Sequence, residues 1–278
     1  MELKMKSIKG MTLALLMLIA AMAGCIGTED ETSDGAEEEK PAFLDASDAG
    51  YTYASDVDNH RSLMQDLCDI KTAASDSNWD EAKNIYTNGK NAQKSDGSYR
   101  TLAGFAAASG KNHNYDSFYG QDGAIGAHIM AAMDGTGDFT GASDTVRYQG
   151  IAKLTANMGM VGYTIHELNA AVAKADAGNT DNDSGAPHNW DEGWAFFHGP
   201  DEHWSCSPAY TMKKRAADYG TETNGVSNAL AASEQAMVDG LAALQAGDKA
   251  GYDAATETVI KNIICLLYTS DAADEWLR

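Results

Sequence analysis

The chain has 278 residues, of which 44% are hydrophobic, and its formal net charge is −21 at pH 7. A chain of this length and composition can bury a sizeable core, which excludes disorder throughout. The acidic balance also argues against nucleic acid and anionic lipid as electrostatic partners, because phosphate binding needs clustered lysine and arginine. Cations, or a medium rich in salt, suit this charge better.

The N-terminal segment, residues 1–24, has the pattern of a signal peptide. Three lysines lie within the first nine residues, an apolar run spans residues 11–22, and small residues then lead to Cys25. The run is shorter than the ~20 apolar residues that span a bilayer. Its ending, Met-Ala-Gly-Cys, resembles a bacterial lipobox, which predicts that Cys25 becomes the lipidated N-terminus of a membrane-anchored lipoprotein.

Residues 25–48 are predicted to form an acidic disordered tether. Between residues 28 and 48 there are nine acidic side chains and one lysine, and such a composition cannot bury enough apolar surface to fold. A self-repelling tether would hold the folded domain, predicted over residues 49–264, away from the membrane. We therefore expect an extracytoplasmic location, in a periplasm or at a cell surface.

The C-terminal segment, residues 265–278, is predicted to be foreign to the protein. Residues 265–275 read Cys-Leu-Leu-Tyr-Thr-Ser-Asp-Ala-Ala-Asp-Glu and resemble the translation of a transposase-type sequencing adapter. With the cysteines of the lipobox and of this segment set aside, Cys68 and Cys206 remain. In an oxidising compartment they form either two buried thiols or one disulfide, which stabilises by ~4 kcal/mol in the chain-entropy estimate.

The sequence predicts an all-α fold, a multi-helix bundle of two pseudo-repeated halves. Proline is absent from residues 42–186, and no run of alternating β-branched residues indicates a strand. The clearest helix spans residues 148–175, where apolar side chains recur at intervals of three and four: Ile151, Leu154, Met158, Val161, Ile165, Leu168 and Val172. Further helices are predicted at residues 55–74, 78–92, 98–108, 123–133, 190–198, 208–218, 226–245 and 248–264. Loops rich in glycine, asparagine and aspartate are predicted at residues 109–122, 134–144 and 176–189.

A short internal repeat supports the prediction of two pseudo-repeated halves. Asn-Trp-Asp-Glu at residues 78–81 recurs at residues 189–192, and each copy is predicted to open a helix that runs through aromatic residues into a glycine. Matched placement of this kind is typical of a duplicated helical unit.

Residues 188–204 concentrate three histidines and four carboxylates among three tryptophans. On a helix over residues 188–198, the side chains of Trp190, Trp194 and Phe197 fall on one stripe, which is predicted to be buried. The centre of this helix is therefore core, and only its flanks are available for binding.

These two flanks carry candidate metal ligands. Asp191 and His198 lie together on one flank, and His188 and Glu192 share the other at a spacing of four residues. A complete site needs donors from other helices, as in the metal sites of helical bundles. The alternative is that Asp191 and Glu192 only favour the helix dipole and pair with basic residues.

His166 and Glu167 form the second candidate. Adjacent helical residues point about 100° apart, and Ala170 rules out a His-Glu-x-x-His zinc motif. Gly159 and Gly162 on the same helix would allow a second neighbour to approach closely, and a buried His-Glu pair then needs partners. The alternative is a solvated helix face.

Two further candidates lie in the N-terminal half. His128 falls in a short helix so apolar that its imidazole is expected inside, where it is either a metal ligand or a core residue. Glu81 belongs to the first copy of the echoed motif, whereas His60, His113 and His203 carry little information. No nucleophile elbow, phosphate loop or CxxC motif is present, so covalent catalysis, nucleotide chemistry and covalently held haem have no support.

Six short stretches, taken together and in order, resemble a known family. They are Ile-Tyr-Thr-Asn-Gly-Lys at 85–90, Arg-Thr-Leu-Ala-Gly-Phe at 100–105, Asp-Gly-Thr-Gly-Asp-Phe at 134–139, Ile-His-Glu-Leu at 165–168, Trp-Asp-Glu-Gly-Trp-Ala-Phe at 190–196 and Lys-Arg-Ala-Ala-Asp-Tyr-Gly-Thr at 214–221. With them the chain resembles the iron-assimilation periplasmic proteins of green algae, also described as low-iron-inducible or high-CO2-inducible proteins. The resemblance implies an extracytoplasmic, non-catalytic protein that helps to capture iron for uptake, here in a prokaryotic, lipoprotein-like version.

Iron, as Fe²⁺ or Fe³⁺, suits the candidate residues. Ferric iron favours carboxylate oxygen, ferrous iron also accepts imidazole, and an acidic protein concentrates cations around itself. The expected partners are the membrane and an iron transporter, without nucleic acid, and the predicted ligands are Glu81, His128, His166, Glu167, Asp191, Glu192 and His198. Two alternatives stay open: a metal-dependent enzyme that uses the same residues, and an interaction lipoprotein in which they are scattered without a common centre.

Overall fold

The structure, a computed structural model, describes residues 47–106, 108, 111 and 114–275. The predicted signal peptide, the predicted lipidation site Cys25 and the predicted tether up to residue 46 lie outside the described residues. Among the helices that are described, none combines the length and the apolar character needed to cross a membrane.

The described chain is built from helices joined by turns and by longer loops. The α-helices, in chain order, are α1 Asp58–Arg61, α2 Leu63–Ser75, α3 Trp79–Asn88, α4 Leu102–Ala106, α5 Asn114–Tyr119, α6 Ala124–Asp134, α7 Asp144–Lys153, α8 Val161–Asp176, α9 Ala186–Phe197, α10 Pro208–Tyr219, α11 Asn228–Ala246 and α12 Lys249–Glu275. A π-helix, Leu154–Met160, joins α7 to α8, and 3-10 turns lie at Gly137–Phe139 and Trp204–Cys206. The all-α prediction is confirmed.

Two short antiparallel ribbons, which the sequence analysis did not predict, accompany the helices. Strand β1 (Ser47–Asp48) pairs with β2 (Tyr51–Thr52), and β3 (Glu222–Thr223) pairs with β4 (Val226–Ser227). Strands of two residues are too short to show alternation in the sequence. The first ribbon also brings buried Asp48, at the end of the predicted tether, into the folded part.

Several helices begin where the sequence supplies a capping residue. The Asn78 side chain accepts a hydrogen bond from the Glu81 backbone N–H at the start of α3. The hydroxyls of Ser143, Ser207 and Ser227 do the same for α7, α10 and α11. These caps satisfy backbone N–H groups that a helix start leaves unpaired, so these boundaries follow from the sequence.

The region predicted as a loop at residues 109–122 contains α5, and there the prediction was wrong. Six residues give less than two turns, which is too short for apolar periodicity to be seen. The Asp116 carboxylate of this helix accepts hydrogen bonds from the backbone N–H groups of Gly123 and Ala124, at 2.9 Å each. The helix therefore anchors the start of α6.

The helix predicted over residues 148–175 consists of α7, the π-helix and α8. Because a π-helix bonds i to i+5, it shifts the phase of the apolar repeat that follows. Val161 and Leu168 of the predicted stripe are buried in α8, whereas Ile165 and Val172 are only half-buried. The other buried side chains of α8 are those of Tyr163, Thr164, Glu167 and Ala171. This shift places the Glu167 side chain inside the protein.

Helix α9 lies between two hydrophobic clusters. Trp190 and Trp194 pack in one cluster with side chains of α11 and α12, and Phe196 packs in the other with side chains of α2, α3, α6 and α7. Gly240 of α11 has no side chain, and the Trp190 ring occupies the space that a Cβ would need. The predicted buried stripe is thus part of a helix that is apolar on most sides. Its polar side chains lie between the two clusters.

The structure contains a disulfide between Cys68 of α2 and Cys206, with their Cα atoms 5.3 Å apart. The Lys71 ammonium donates a hydrogen bond of 2.7 Å to the Cys206 carbonyl at the same junction. The bridge connects α2 to the segment that follows α9, across 138 residues of sequence.

The two copies of the echoed motif do not have the same position in their helices. Asn78 caps α3 from outside, whereas α9 begins at Ala186, three residues before Asn189. The prediction that each copy opens a helix was therefore wrong for the second copy, where Pro187 at the start of α9 begins the helix earlier. The two pseudo-repeated halves stay a prediction.

Candidate functional site

The candidate site is a cavity of about 460 Å³ between α1, α8 and α9, which we call the polar pocket. Its ionisable lining residues are His60, Arg100, Lys111, Tyr163, His166, Glu167, Lys174, His188 and Glu192. Three imidazoles and two carboxylates from three helices therefore line one cavity. No single sequence motif predicts this cluster.

Glu192 of α9 lies at the meeting point of two imidazoles. Its Oε1 atom is 3.2 Å from Nε2 of His60 and 3.2 Å from Nε2 of His188. The His188 contact is the i, i+4 pair expected on one flank of the helix, while His60 is brought in by α1. Burial by itself raises the pKa of Glu192, but the hydrogen bond from His188 and the charges of both histidines lower it overall.

Glu167 is the second carboxylate of the pocket, and only 4% of its surface is exposed. Burial, followed by the charge of Glu192, raises the pKa of Glu167 to about 7. The Asn189 side-chain amide donates a hydrogen bond to Oε2 of Glu167, and Nε2 of His166 lies 3.9 Å from its Oε1. At neutral pH this carboxyl retains a proton much of the time, because a second negative charge beside Glu192 is unfavourable.

The orientation of His188 is set by two residues outside the pocket. The Ser55 hydroxyl donates to Oδ2 of Asp191 at 2.8 Å, so its oxygen accepts the hydrogen bond of 2.9 Å from Nδ1–H of His188. With Nδ1 protonated, Nε2 is the nitrogen that faces Glu192. The hydrogen bond to Glu192 raises the pKa of His188.

Asp191 is fully buried and faces away from the polar pocket. Its carboxylate accepts hydrogen bonds from the Tyr51 hydroxyl, the Ser55 hydroxyl and the backbone N–H groups of Ala54 and Ser55. Burial raises the pKa of Asp191 to about 6, although these hydrogen bonds act in the opposite direction. The predicted ligand is therefore a support for His188, through Ser55.

His60 is the most enclosed imidazole of the pocket. Its ring packs edge-on against Phe196, with ring centroids 5.3 Å apart, and its Nδ1 atom is buried without a hydrogen-bond partner. Burial lowers the pKa of His60 to about 4. It is consequently neutral at physiological pH, which is the protonation state that binds metal ions.

Basic residues line the remaining wall of the pocket. Arg100, Lys111 and Lys174 belong to the lining, and the Lys111 ammonium lies 5.6 Å from the centre of the Tyr163 ring. The Nε atom of Arg100 is buried without a partner. The pocket thus combines the Glu167 and Glu192 carboxylates with basic side chains in one lining, and the positive charges act on His60, Glu167 and His188.

The imidazoles of His60 and His188 and the carboxylates of Glu167 and Glu192 form a donor set that fits iron. Fe³⁺ prefers carboxylate oxygen, and Fe²⁺ also accepts the nitrogen of a neutral imidazole. Within the described residues, no three histidine, cysteine, aspartate or glutamate side chains are already arranged around one ion position. Oε1 of Glu192 lies 3.2 Å from each of the two Nε2 atoms.

Of the seven predicted ligands, the pocket brings together three: His166, Glu167 and Glu192. Asp191 is adjacent but turned away, and the structure separates the other three, Glu81, His128 and His198, from the pocket. The expectation of one site formed by all seven is therefore corrected.

Each of the separated residues has a local role that explains its position. Glu81 is exposed in the first turn of α3, where acidic side chains favour the helix dipole. His128 of α6 is half-buried rather than inside as predicted, and it shares a hydrogen bond of 2.7 Å with the Tyr115 hydroxyl. The His198 ring is stacked between Trp194 and Trp204.

His60 and His188 line the pocket but were not among the seven predicted ligands. His188 had a signal, because its spacing of four residues from Glu192 placed both on one flank. His60 had none, since α1 has only four residues and its approach to α9 depends on tertiary packing.

Comparison with protein-family models gave a match over most of the chain. The model of the Fea1 family, described as low iron-inducible periplasmic protein, matches residues 42–273. Neither the curated proteins nor the solved structures gave a match. The matched range includes every residue of the polar pocket.

Proposed function

Because this chain belongs to the low iron-inducible periplasmic protein family, we propose that it captures iron in the polar pocket as a membrane-anchored extracytoplasmic protein. Iron is the cargo, and the chain assists its uptake without transforming it chemically. The proposed ligands are His60, His188, Glu192 and Glu167, with His166 beside them.

One observation carries this proposal: two imidazole Nε2 atoms, from different helices, converge on a single carboxylate oxygen of Glu192 at 3.2 Å. Convergence of two histidines on a carboxylate whose side chain is only 14% exposed is costly unless the groups share a proton or a cation. A metal ion resolves the cost, because it replaces the protons now held among these side chains. The donor set itself favours iron over calcium, which takes oxygen ligands only.

The clustering also bears on the alternative of an interaction lipoprotein. That alternative expects the acidic and imidazole side chains to be scattered as surface solvating groups. His166, Glu167 and Glu192 instead line one cavity, and Glu167 is buried. Buried ionisable groups with shifted pKa values are typical of functional sites.

The proposed anchoring rests on the sequence alone. A lipid on Cys25 and the acidic segment that follows it would place the pocket near a membrane transporter, and the net charge of −21 would attract cations to the protein surface. The partner transporter is part of this proposal.

The experiment is an anaerobic titration of the full-length chain in detergent with Fe²⁺, and a separate one with Fe³⁺-citrate, followed by calorimetry and by the melting temperature. Zn²⁺ and Ca²⁺ are the comparison ions. We expect saturable binding of one iron, weakened by more than about tenfold in Glu192→Gln and in His188→Gln, because each removes a ligand. Glu81→Gln is the matched control, since Glu81 is exposed on α3.

A folded protein that binds no iron saturably would overturn the proposal. Equal losses in Glu192→Gln and Glu81→Gln would also contradict it, because general charge would then explain the binding. Melting curves of each variant distinguish loss of the site from loss of the fold.

A further inference from the structure

A second cavity, of about 300 Å³, lies where the segment after α9 meets the β3–β4 ribbon and α11. Its polar lining residues are His198, Asp201, Lys213, Ser227 and Glu234, and its apolar wall includes Trp204, Val226 and Leu230. We call it the His198 cavity. It shares no lining residue with the polar pocket.

His198 presents an unsatisfied hydrogen-bond acceptor to this cavity. Its ring is 2% exposed and stacks between Trp194 and Trp204, with centroids at 5.1 and 5.6 Å and planes within 18° of parallel. Nδ1 lies 2.8 Å from the Gly199 carbonyl oxygen, which can only accept, so Nδ1 carries the proton. In the neutral ring the lone pair is then on Nε2, which has no partner among the described residues.

Two carboxylates face the same space. Asp201 is exposed and is held by a long hydrogen bond of 3.4 Å from the Ala49 backbone N–H to its Oδ1. Glu234 of α11 is half-buried, and burial, followed by the charge of Asp201, raises its pKa. One cation is already near them: the Lys213 ammonium, 5.0 Å from the centre of the Trp204 ring. One ammonium against two carboxylates leaves a negative charge uncompensated.

The size and the apolar wall of the cavity indicate an organic ligand rather than a bare ion. A water molecule occupies about 30 Å³, and small-molecule pockets begin at about 300 Å³. Val226 is 55% exposed at the edge of the cavity, an unusual position for a large apolar side chain in a two-residue strand. Asn224 and Gly225, with φ of 54° and 78°, form the tight turn that holds it there.

We propose that the His198 cavity binds a primary alkylamine. Nε2 of His198 and the carboxylates of Asp201 and Glu234 supply three acceptors for the three N–H groups of one ammonium. The alkyl chain lies against Val226 and Leu230. A primary ammonium fits better than a quaternary one because the acceptors need N–H donors, and better than an alcohol because the cavity carries excess negative charge.

The test is a titration of the full-length, isotopically labelled protein with n-butylamine at pH 7, followed by the ring ¹⁵N resonances of the histidines and by backbone amide shifts. We expect a saturable shift of Nε2 of His198 together with amides of the β3–β4 ribbon. Binding should weaken by about tenfold or more in Asp201→Asn and in Glu234→Gln. Glu202→Gln, an exposed neighbour outside the lining, is the matched control.

Two comparison ligands decide the chemistry. 1-Butanol and butyltrimethylammonium should bind at least tenfold more weakly than n-butylamine. Equal binding of butyltrimethylammonium, equal loss in Glu202→Gln, or no saturable shift in a folded protein would each overturn the proposal. Iron titrations of Glu234→Gln should match those of the unaltered chain, which keeps this test separate from that of the polar pocket.

Discussion

Two histidines at opposite ends of α9 have the same side chain and different chemistry. His188, in the first turn, has Nδ1 fixed by Ser55 and Nε2 in contact with the Glu192 carboxylate. His198, just after the last turn, has Nδ1 bonded to the Gly199 carbonyl and Nε2 unpartnered beside a cavity. The partner of one ring nitrogen thus decides what the other nitrogen can do.

The surroundings of the two imidazoles also differ, because His188 lines the polar pocket and His198 lines the partly apolar His198 cavity. Around His188 the pocket is lined by residues of α1 and α8, and the imidazole contacts the Glu192 carboxylate. The His198 imidazole is stacked between two tryptophan rings, and the lining of the His198 cavity is partly apolar. The first arrangement suits a small ion that replaces protons, and the second suits a larger ligand that donates hydrogen bonds.

The largest expected effect concerns the disulfide, which joins the two regions. Cys68 lies in α2, directly after the short helix α1 that carries His60. Cys206 lies two residues after Trp204, which lines the His198 cavity. Replacing both cysteines by serine should lower the free energy of unfolding by about 4 kcal/mol, because a closed loop of this length restricts the unfolded chain. Chemical denaturation measures the change.

The control for that variant is Cys265→Ser, which changes an exposed cysteine outside the disulfide. Its free energy of unfolding should fall by much less than that of the double variant. If the double serine variant is equally stable, the bridge does not contribute as the structure indicates.

The next effect is the pH dependence of iron binding. Glu167, with its pKa raised to about 7 by burial, and His188, with its pKa raised by Glu192, both hold protons in the metal-free protein. Iron must displace them, so affinity should fall as pH falls below about 7, by about tenfold per pH unit for each proton released. His60, neutral above pH 4, adds no such proton.

Anaerobic calorimetry with Fe²⁺ in buffers of different ionisation enthalpy counts these protons directly. Glu167→Gln should release one proton fewer and flatten the dependence on pH. Affinity that does not change between pH 5.5 and pH 7, a range chosen around the ~6.5 of free histidine, would argue against ligation by these residues.

A smaller effect should follow from Ser55→Ala, which leaves every proposed ligand in place. Without the hydroxyl, His188 loses the group that fixes its orientation, and iron affinity should drop by about tenfold. Stability should fall by about 1 kcal/mol for the lost hydrogen bonds. Amine binding in the His198 cavity should not change. A Ser62→Ala variant, whose hydroxyl bonds the Asp58 carbonyl instead, is the control.

The smallest effect is expected at a residue that the sequence suggested and the structure separates. His128→Gln should leave iron affinity unchanged within error, since its imidazole bonds the Tyr115 hydroxyl outside the polar pocket. A loss as large as that of Glu192→Gln would place His128 in the site and contradict the distinction between the two regions.

Much of the architecture could be predicted from local patterns. The helices α2, α3, α6 and α9 to α12 correspond to predicted helices, because apolar periodicity and capping residues act within a few residues of each other. The spacing of His188 and Glu192 on one flank of α9 likewise followed from helix geometry. The phase of α8 did not, because the π-helix before it is a packing feature that the apolar pattern does not reveal.

By itself, the sequence determined the all-α class, the buried aromatic stripe of α9 and the acidic charge that favours a cation as cargo. Only the tertiary structure decided which ionisable side chains meet. His60 contacts Glu192 because α1 packs against α9, and Glu167 is buried in the helix that follows the π-helix. Asp191 instead accepts hydrogen bonds from Tyr51 and Ser55. Periodicity specifies which face of a helix is buried, whereas a binding site depends on which faces of distant helices lie opposite each other.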